Sequence, residues 1–363
     1  MSADGGSPLT AAIRRLAHGE AIPGDELTRA FERVMAGDAT SAQIAALLVG
    51  LRVRGETPEE VAAVVRAMRN VMVVLRAERP EELVDTCGTG GGTLVTFNIS
   101  TAAALLAAGA GVRIAKHGNR SFTSLCGSAD VLEALGVSIE VSLPVMERAL
   151  RDAGIVFMFA PLMHPAMRHV GPVRRELPIP TVMNIVGPLA NPALAGRQVV
   201  GVADERRMPL IAGTLRELGT MHALVVHGAP GLDEVSPLGP TQVIEIRGGT
   251  LREWTIEPER YDFGPVHPDH LAGGSPKENA ETVLAVLRGE GSSGATAAVT
   301  LNAAAAIYVS GAVKTFDDAV NAATAALQDG SGFSALGRLR GAFARASLEP
   351  RASGLGTRAN DPA

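Results

Sequence analysis

Cysteine and aromatic residues are scarce in this sequence. Its 363 residues include two cysteines, Cys87 and Cys126, and only 3% are phenylalanine, tyrosine or tryptophan. Two cysteines in a chain of this length exclude a disulfide-stapled scaffold and are typical of a reducing compartment. Because 46% of the residues are hydrophobic, the chain can build an ample core, and we expect one large or two modest domains.

The sequence also lacks a strong excess of either charge and any long apolar run. Its 33 basic and 38 acidic residues are interspersed and give a net charge of −5, which provides no electrostatic basis for binding nucleic acid or an anionic membrane. No apolar run reaches membrane-spanning length. The stretch MSADGGSPLT has no basic region followed by an apolar one, so a secretory signal is not expected. We therefore expect a cytoplasmic protein with no nucleic-acid or membrane partner.

The first part of the chain has the apolar spacing of amphipathic helices. Leucine, isoleucine, valine and methionine recur there at intervals of three and four residues. Two pairs have the spacing of a capping box and mark helix starts, Thr40 with Gln43 and Thr57 with Glu60. The pattern predicts an N-terminal helical domain over residues 1–78.

From residue 79 onward, short apolar runs alternate with helical segments. This alternation predicts an α/β domain over residues 79–346, with a mostly parallel central sheet flanked by helices. The predicted strands are LVDT, VRIA, VSIEV, IVFMF, RQVVGVA and HALVVHG, and a hairpin is predicted around Gly248-Gly249. Residues 347–363 have the composition of a disordered tail.

One segment departs from the alternation of strands and helices. Residues 164–196 contain six prolines, which are incompatible with a regular strand or helix of that length. We expect this segment to leave the sheet, and its part from about 175 to 196 to pack on the N-terminal helices.

Residues 88–101, GTGGGTLVTFNIST, place a glycine cluster between a predicted strand and a predicted helix. In an α/β sheet this position is the carboxyl end of a strand, where ligands bind. Glycine leaves backbone N–H groups bare, and successive N–H groups beside a helix N-terminus form an anion site. A tight turn without a ligand is the alternative, because a lone glycine pattern is weak evidence. The loop matches neither a Walker ending nor Rossmann spacing.

A second polar loop, KHGNRSFTS, follows another predicted strand and begins at Lys116. Lys116 and Arg120 supply positive charge, and the remaining side chains supply hydrogen-bond donors. Two donor-rich loops at one edge of a sheet predict a polyanionic ligand, and they favour a phosphate over a pair of solvated turns.

The pair Asp233-Glu234 lies in a Gly/Pro loop after the predicted strand HALVVHG. Mg²⁺ typically takes one or two carboxylates together with ligand phosphates and water. An exposed acidic turn would explain an isolated pair, but the position at a strand end makes these carboxylates candidate Mg²⁺ ligands.

The motifs GTGG…NIST, KHGNR…GSADVLEALG, HPAMRHVGPVRRELPIPTVMNIVGPLANP and GLDEVSP, in this order, resemble anthranilate phosphoribosyltransferases. The resemblance extends from the N-terminal helices to beyond residue 310. It implies transfer of the phosphoribosyl group of 5-phosphoribosyl 1-diphosphate to the amine of anthranilate, in tryptophan biosynthesis, by an Mg²⁺-dependent homodimer. It also implies a small helical domain joined to a larger α/β domain, similar to pyrimidine nucleoside phosphorylases.

The same resemblance implies three groups of site residues by their positions in these motifs. The phosphoribosyl diphosphate site would comprise Gly88, Gly91, Gly92, Thr96, Asn98, Ile99, Ser100, Thr101, Lys116, His117, Gly118, Asn119, Arg120, Ser121, Phe122, Thr123, Ser124 and Ser128. The Mg²⁺ ligands would be Ser100, Asp233 and Glu234. Positions near anthranilate would be Gly88, Asn119, His164, Arg174 and Gly187, and the predicted catalytic residues are Lys116 and Arg174.

The residue types agree with these roles, although alone they would not establish them. Arg174 can hold the anthranilate carboxylate through two parallel N–H bonds, which a lysine does less well. Without the motif, Arg174 and Arg175 would be assigned to a solvated helix face, and His164 to a helix cap or the core.

Three positions depart from the pattern of the family. Position 92 is glycine where the family usually has aspartate, which removes a carboxylate beside the diphosphate and leaves one of two usual Mg²⁺ positions open to question. Leu125-Cys126 stands where a Lys-Ser pair is common. We interpret Cys126 and Cys87 as small buried thiols and not as nucleophiles.

The reaction implied is displacement at ribose C1, with diphosphate leaving and inversion at that carbon. No general base is assigned, and His117 is a candidate only. A pyrimidine nucleoside phosphorylase is one alternative, which the KHGNR and NIVGPLANP runs disfavour. A non-catalytic relative that binds nucleic acid is another, which the net charge and the Asp233-Glu234 pair disfavour.

Overall fold

A bundle of helices joined to a seven-stranded sheet forms the architecture of the computed structural model. The structure describes residues 7–121 and 125–344. Phe122, Thr123 and Ser124 of the second polar loop, and the predicted tail over 347–363, lie outside the described residues.

The N-terminal bundle contains four helices, α1 (Pro8–Ala17), α2 (Gly24–Ala36), α3 (Ser41–Arg54) and α4 (Pro58–Val71). Both predicted capping boxes are present, at the starts of α3 and α4. The Glu60 carboxylate is buried, and it accepts hydrogen bonds from the backbone N–H groups of Thr57 and Ile22, each at 3.0 Å, and pairs with Arg54. The same carboxylate therefore begins α4 and attaches the α1–α2 connection to it.

The α/β part alternates strands and helices in the order expected. Its strands are β1 (Val84–Gly88), β2 (Ile114–Gly118), β3 (Ile155–Phe159), β4 (Arg197–Gly201), β5 (His222–Gly228), β6 (Thr241–Arg247) and β7 (Thr250–Ile256). Its helices are α5 (Ile99–Gly109), α6 (Ser128–Ala134), α7 (Leu143–Ala153), α8 (Ala160–Met163), α9 (Gly171–Glu176), α10 (Val186–Leu189), α11 (Met208–Glu217), α12 (Pro276–Leu287), α13 (Ser293–Ser310), α14 (Phe316–Gln328) and α15 (Ser331–Ala344).

The strand order across the sheet is β3-β2-β1-β4-β5-β6-β7. The first five strands pair in parallel, while β5, β6 and β7 pair antiparallel. The hairpin between β6 and β7 turns at Gly248 and Gly249, which both have positive φ, as the sequence predicted. A mostly parallel sheet is thereby confirmed.

The run VSIEV, residues 137–141, is not a strand, so that prediction was wrong. Val137 and Ile139 are buried, whereas Ser138 and Glu140 are exposed, which is the alternation that suggested a strand. The segment lies between α6 and α7 without a β-ladder to a neighbouring strand in the described part of the chain. Alternation reports that one side of an extended chain is buried, and it does not report that the backbone is paired.

Both faces of the central strands are buried, each against a different set of helices. Val199 of β4 and Leu224 of β5 belong to a core shared with α5, α13 and α15, whereas the next residues, Val200 and Val225, belong to a core shared with the N-terminal bundle and α11. Successive strand residues point to opposite faces, so the sheet separates the two cores.

The proline-rich stretch, residues 164–196, lies between β3 and β4 outside the sheet, and it contains α9 and α10. Val173, Val186 and Leu189 are buried in the same core as the N-terminal helices. The segment therefore forms a bridge between the bundle and the sheet edge, while the exact domain limits stay a prediction. Across residues 7–121 and 125–344, none of the helices combines the length and the apolar character needed to cross a membrane.

Candidate active site

The loops that follow β1 and β2 lie at one edge of the sheet, because these strands are parallel neighbours. They border a cleft of about 490 Å³ between that edge and the proline-rich stretch. The cleft is lined by Cys87, Gly88, Thr89, Gly90, Gly91, Asn98, Ser100, Lys116, His117, Gly118, Asn119, Arg120, Ser121, Gly127, Ser128, Ala160, Arg174, Met183, Asn184, Gly187, Pro188, Asp233 and Glu234.

Glycines at the strand ends allow the loop that carries Asp233 and Glu234, here called the acidic loop, to cross the edge of the sheet. Gly88 ends β1 and Gly201 ends β4, and the two lie opposite each other in the sheet. A Cβ atom on Gly88 would lie 2.5 Å from Asp233 Oδ2, and one on Gly201 would overlap the backbone of Asp233. Any larger residue at either position would displace Asp233, so the missing side chains bring the carboxylate into the cleft.

The glycine loop and the acidic loop form one wall of the cleft. Gly90 and Gly91 have φ of +70° and +84°, a conformation that favours glycine. The N–H of Gly90 donates to Asp233 Oδ2 at 2.8 Å, and the N–H of Thr93 donates to Gly231 O at 3.1 Å. In this structure the Asp233 carboxylate therefore accepts the Gly90 N–H, and the binding of an anionic ligand by the glycine loop stays a prediction.

Opposite charges meet at the floor of the cleft. Burial, with a further contribution from the charge of Asp233, raises the pKa of Glu234 to about 8, and burial also raises the pKa of Asp233. Burial lowers the pKa of Lys116, whose Nζ donates to Thr86 O at 2.5 Å and to Ser100 Oγ at 3.2 Å. Carboxylates with raised pKa values are under-compensated, so the floor favours an added cation.

The donor set suits a hard divalent cation that is completed by its ligand. Among residues 7–121 and 125–344 there is no cluster of three or more histidine, cysteine or acidic residues that could hold a metal alone. Asp233, Glu234 and the Ser100 hydroxyl offer oxygen ligands only. Mg²⁺ is commonly bound in this way, through one or two carboxylates with substrate phosphates and water filling its other positions.

A buried network behind the cleft fixes the start of the KHGNR loop. Asp85 Oδ1 accepts from His117 N at 3.1 Å, and Asn191 Nδ2 donates to Asp85 Oδ2 at 2.7 Å and to Ala115 O at 2.8 Å. Burial raises the pKa of Asp85 to about 6. Sequence reasoning did not assign either residue, although Asn191 lies within the NIVGPLANP run.

Arg174 reaches the cleft from the proline-rich stretch, beside Met183, Asn184 and Pro188. Burial lowers its pKa, but a guanidinium stays charged at neutral pH. This wall combines one fixed positive charge with apolar surface, which suits an aromatic carboxylate.

Two neutral histidines lie against each other at the junction of the walls. The rings of His117 and His164 have centroids 4.9 Å apart. Burial lowers the pKa of His117 to about 3 and that of His164 to about 4, so both are uncharged at pH 7. Their Nε2 atoms are buried, and neither has a hydrogen-bond partner in the described parts of the chain.

Several predicted site residues do not line the cleft. Ile99 and Thr101 are buried in α5, each with 1% of its surface exposed. Thr96 forms an isolated backbone bridge with Ala272, and His164 lies behind His117. Gly92 is adjacent to the acidic loop, where a Cβ atom would lie 3.3 Å from Asp233 Oδ1.

The two cysteines differ from each other. Cys126 is buried, as expected, and its thiol donates to Asn98 Oδ1 at 3.1 Å. Cys87 is only partly buried and lines the cleft, because it is near the end of β1, so its assignment to the interior was wrong. Desolvation raises the pKa of the Cys87 thiol well above its usual value, which keeps it uncharged.

The predicted site residues did not include several that line the cleft: Gly90, Gly127, Ala160, Met183, Asn184 and Pro188. Asn184 and Pro188 could have been found, since they lie in a motif already quoted. Met183 gave no signal, because a methionine before that run is equally compatible with a core position.

Comparison with known proteins places this cleft in a family. Residues 80–333 match the family described as "Glycosyl transferase family, a/b domain", and residues 10–72 match "Glycosyl transferase family, helical bundle domain". An anthranilate phosphoribosyltransferase of Rubrobacter xylanophilus is 49% identical over 330 residues, which cover 91% of this chain and 96% of that protein. The chain belongs to the anthranilate phosphoribosyltransferase family. A relative from Methanosarcina acetivorans with the same name is 42% identical and covers 94% of this chain and 92% of its own length.

Solved structures of the anthranilate phosphoribosyltransferase family share the fold. The enzyme from Thermus thermophilus superposes with a TM-score of 0.86 at 40% identity, covering 92% of this chain and 99% of that chain. The enzyme from Saccharomyces cerevisiae in complex with PRPP and Mg has a TM-score of 0.84 at 26% identity, covering 93% and 98%. The expected family, the pentosyltransferase class and the combination of a small helical with a larger α/β domain are thereby confirmed.

Proposed function

We propose that this protein transfers the phosphoribosyl group from 5-phosphoribosyl 1-diphosphate to the amine of anthranilate, releasing diphosphate, in tryptophan biosynthesis. One observation carries the proposal. The glycine loop, the KHGNR side chains, an acidic pair and Arg174 converge on one cleft in a chain that belongs to this family.

The diphosphate of the substrate lies against the glycine loop and the start of α5. Gly90 and Gly91 line the cleft there, where the Gly90 N–H donates to Asp233 Oδ2 in this structure, and Asn98 and Ser100 add side chains at the start of the helix. Oriented N–H groups and a helix N-terminus stabilise an anion together. The KHGNR loop contributes Lys116, and the yeast relative whose structure contains PRPP and Mg has the same fold.

Ser100, Asp233 and Glu234 would hold Mg²⁺ at the floor of the cleft. When bound there, the ion would neutralise the carboxylates and the charge that develops on the departing diphosphate. Lys116 adds a positive charge from the protein itself, since its Nζ is 3.2 Å from Ser100 Oγ.

Anthranilate lies on the opposite wall, where Arg174 binds its carboxylate and Met183 and Pro188 contact its ring. His164 supports this wall from behind through its contact with His117. Asn119 and Gly187 also line the cleft, and we place them beside anthranilate, with its amine toward the ribose. Orientation of two bound reactants supplies a large part of the rate enhancement in such reactions.

The chemical step forms the C1–N bond and breaks the bond between C1 and the diphosphate oxygen. The two electrons of the broken bond leave with the diphosphate, and the attacking amine loses one proton. An aromatic amine is already neutral at pH 7, so the protein needs no strong base before attack. The anilinium formed by attack is itself acidic and can release this proton to water. His117 stays a candidate acceptor only, because a pKa of about 3 makes its neutral imidazole a weak base.

The family resemblance supports a homodimer, and the composition of the sequence supports a cytoplasmic location. We propose a homodimer that acts in the cytoplasm, with a helical domain over residues 1–78 and an α/β domain over residues 79–346. Sedimentation equilibrium at micromolar concentration tests the dimer, and a single species with the mass of one chain would refute it.

The experiment for the reaction mixes the protein with anthranilate, phosphoribosyl diphosphate and Mg²⁺ and follows the loss of anthranilate fluorescence. We expect turnover that requires both substrates and releases diphosphate in equal amount. A parallel reaction with pyrimidine nucleosides and inorganic phosphate tests the phosphorylase alternative. Cleavage of nucleosides without consumption of anthranilate would reject the proposed function.

A further inference from the structure

Asp130 lies outside the cleft but makes an unusual set of contacts with the loop that borders it. On the first turn of α6, one of its oxygens, Oδ2, accepts from the backbone N–H of Gly127 at 2.8 Å and from that of Ser121 at 3.2 Å. Its other oxygen, Oδ1, accepts from Arg120 Nη1 at 2.8 Å. One carboxylate therefore joins the residue after KHGNR to the residue before α6.

The backbone at this junction is packed too closely for any side chain on Gly127. A Cβ atom there would lie 2.6 Å from both Asn119 O and Arg120 C. The φ of Gly127 is −90°, so close approach, and not an unusual dihedral angle, requires glycine. Asn119 O also accepts from Ser128 Oγ at 3.2 Å and from Ala129 N at 3.1 Å. The cleft-lining part of the loop is thus attached to the start of α6 at several points.

A second acidic residue also pairs with Arg120, so the contribution of this ion pair can be compared with that of the contacts to the loop backbone. Glu133, one turn further along α6, also pairs with Arg120, with Nη2 to Oε1 at 3.1 Å. Asp130 makes the same kind of contact with Arg120 and, in addition, accepts from the backbone N–H groups of Ser121 and Gly127. The two acids thus share the Arg120 contact and differ in the attachment of the backbone.

We propose that Asp130 is a positioning residue for the phosphoribosyl diphosphate site, which it serves by holding the backbone of Ser121 and Gly127 so that Asn119 and Ser128 face the cleft. This inference rests on the proposed function, because it assumes that the KHGNR loop binds that substrate. A carboxylate has two acceptor oxygens, so one side chain can accept both backbone N–H groups and the Arg120 guanidinium.

Three variants separate the roles of Asp130. Asp130→Ala removes all of its contacts, and we expect the KM for phosphoribosyl diphosphate to rise about tenfold or more while the KM for anthranilate changes less than about threefold. Asp130→Asn keeps an oxygen for both N–H groups but turns an NH₂ group toward Arg120. We expect its KM to stay within about threefold of the wild-type value, because the backbone attachment remains. The matched control Glu133→Ala also should stay within about threefold.

Steady-state kinetics at a temperature well below unfolding, with circular dichroism to verify the fold, decide the outcome. An unchanged KM in Asp130→Ala would overturn the inference, and so would an equal rise for both substrates. If the KM for phosphoribosyl diphosphate rises as much in Asp130→Asn or Glu133→Ala as in Asp130→Ala, the ion pair with Arg120 matters and the backbone attachment does not. If Asp130→Ala does not fold, Asp130→Glu replaces it, since its longer side chain still reaches Arg120. An inactive wild-type protein would instead reject the proposed function.

Discussion

At the residue scale, Gly92 is a position where the backbone would accept a side chain. Its φ is not in the left-handed region, and a Cβ atom would lie 3.1 Å from Gly231 O, so an aspartate fits after a shift of a few tenths of an ångström. Its carboxylate would then lie beside Asp233. The glycine therefore lowers the negative charge of the proposed cation site without disturbing the loop.

Gly92→Asp should lower the Mg²⁺ concentration needed for half-maximal activity by about tenfold, since an added carboxylate at close range strengthens cation binding by about a kilocalorie per mole or more. Mg²⁺ titrations of the initial rate measure the effect. Gly92→Asn is the matched control, with the same shape and no charge. Equal curves for the two variants would show that charge at position 92 does not set the metal requirement.

Arg174 is the residue expected to discriminate between the two substrates. Arg174→Ala should raise the KM for anthranilate by about tenfold to a hundredfold, because a hydrogen bond to a charged group contributes about 1.5–3 kcal/mol. The KM for phosphoribosyl diphosphate should change less than about twofold. Arg175→Ala is the control, because Arg175 lies next to Arg174 on α9 but is exposed and does not line the cleft. Equal changes in both KM values for Arg174→Ala would refute its role as the carboxylate ligand.

At the scale of elements, α13 supports the acidic loop. Asn302 is buried in the middle of this helix, and its side chain pairs with both backbone groups of Val235, accepting from N at 2.9 Å and donating to O at 2.8 Å. Val235 directly follows Glu234. The amide of Asn302 therefore takes the place of a neighbouring strand for an irregular segment that carries proposed Mg²⁺ ligands.

Asn302→Leu should destabilise the protein by roughly 2–5 kcal/mol, because it leaves two buried backbone groups without a partner. It should also raise the Mg²⁺ concentration for half-maximal activity. Urea unfolding and Mg²⁺ titration are the measurements. Thr300→Val on the same helix is the control, since the buried Thr300 hydroxyl has no partner in the described residues and its loss should be neutral or stabilising. An unchanged Mg²⁺ titration curve for Asn302→Leu would show that α13 does not support the proposed Mg²⁺ ligands.

At the scale of the whole molecule, the helical bundle and the sheet share one core. Leu27 of α2 is fully buried in the cluster that also contains Val225 of β5 and Ile244 of β6. The opposite face of the sheet forms the second core with α5 and α13. Because the sheet contributes to both cores, the two parts should lose their structure together.

Leu27→Ala should destabilise the protein by about 2–5 kcal/mol, and the whole chain should unfold in one transition. Trp254, the single tryptophan, lies on β7 far along the chain from α2, so its fluorescence reports on the sheet while circular dichroism reports on all helices. Both signals should move to the same lower urea midpoint. The control Arg29→Ala changes an exposed residue of α2 and should have an effect within about 0.5 kcal/mol. A Trp254 transition that stays at the wild-type midpoint would show independent domains.

Local features of this sequence predicted most of its elements and the loops that border its candidate site. Capping boxes, apolar spacing and strand-end glycines act over a few residues, so Thr57 with Glu60 and the loop at Gly90 and Gly91 could be predicted directly. The alternation at 137–141 failed because burial of one side does not decide whether a backbone finds a partner.

The amino-acid sequence by itself therefore determined the helices, most strands, the two donor-rich loops and the family. Only the tertiary structure decided which distant residues meet: Asp233 over Gly88 and Gly201, and Asn191 against Asp85, which is 106 positions away in the chain. The physical reason is that such contacts depend on how the sheet brings strand ends together. No local propensity of the residues involved encodes that arrangement.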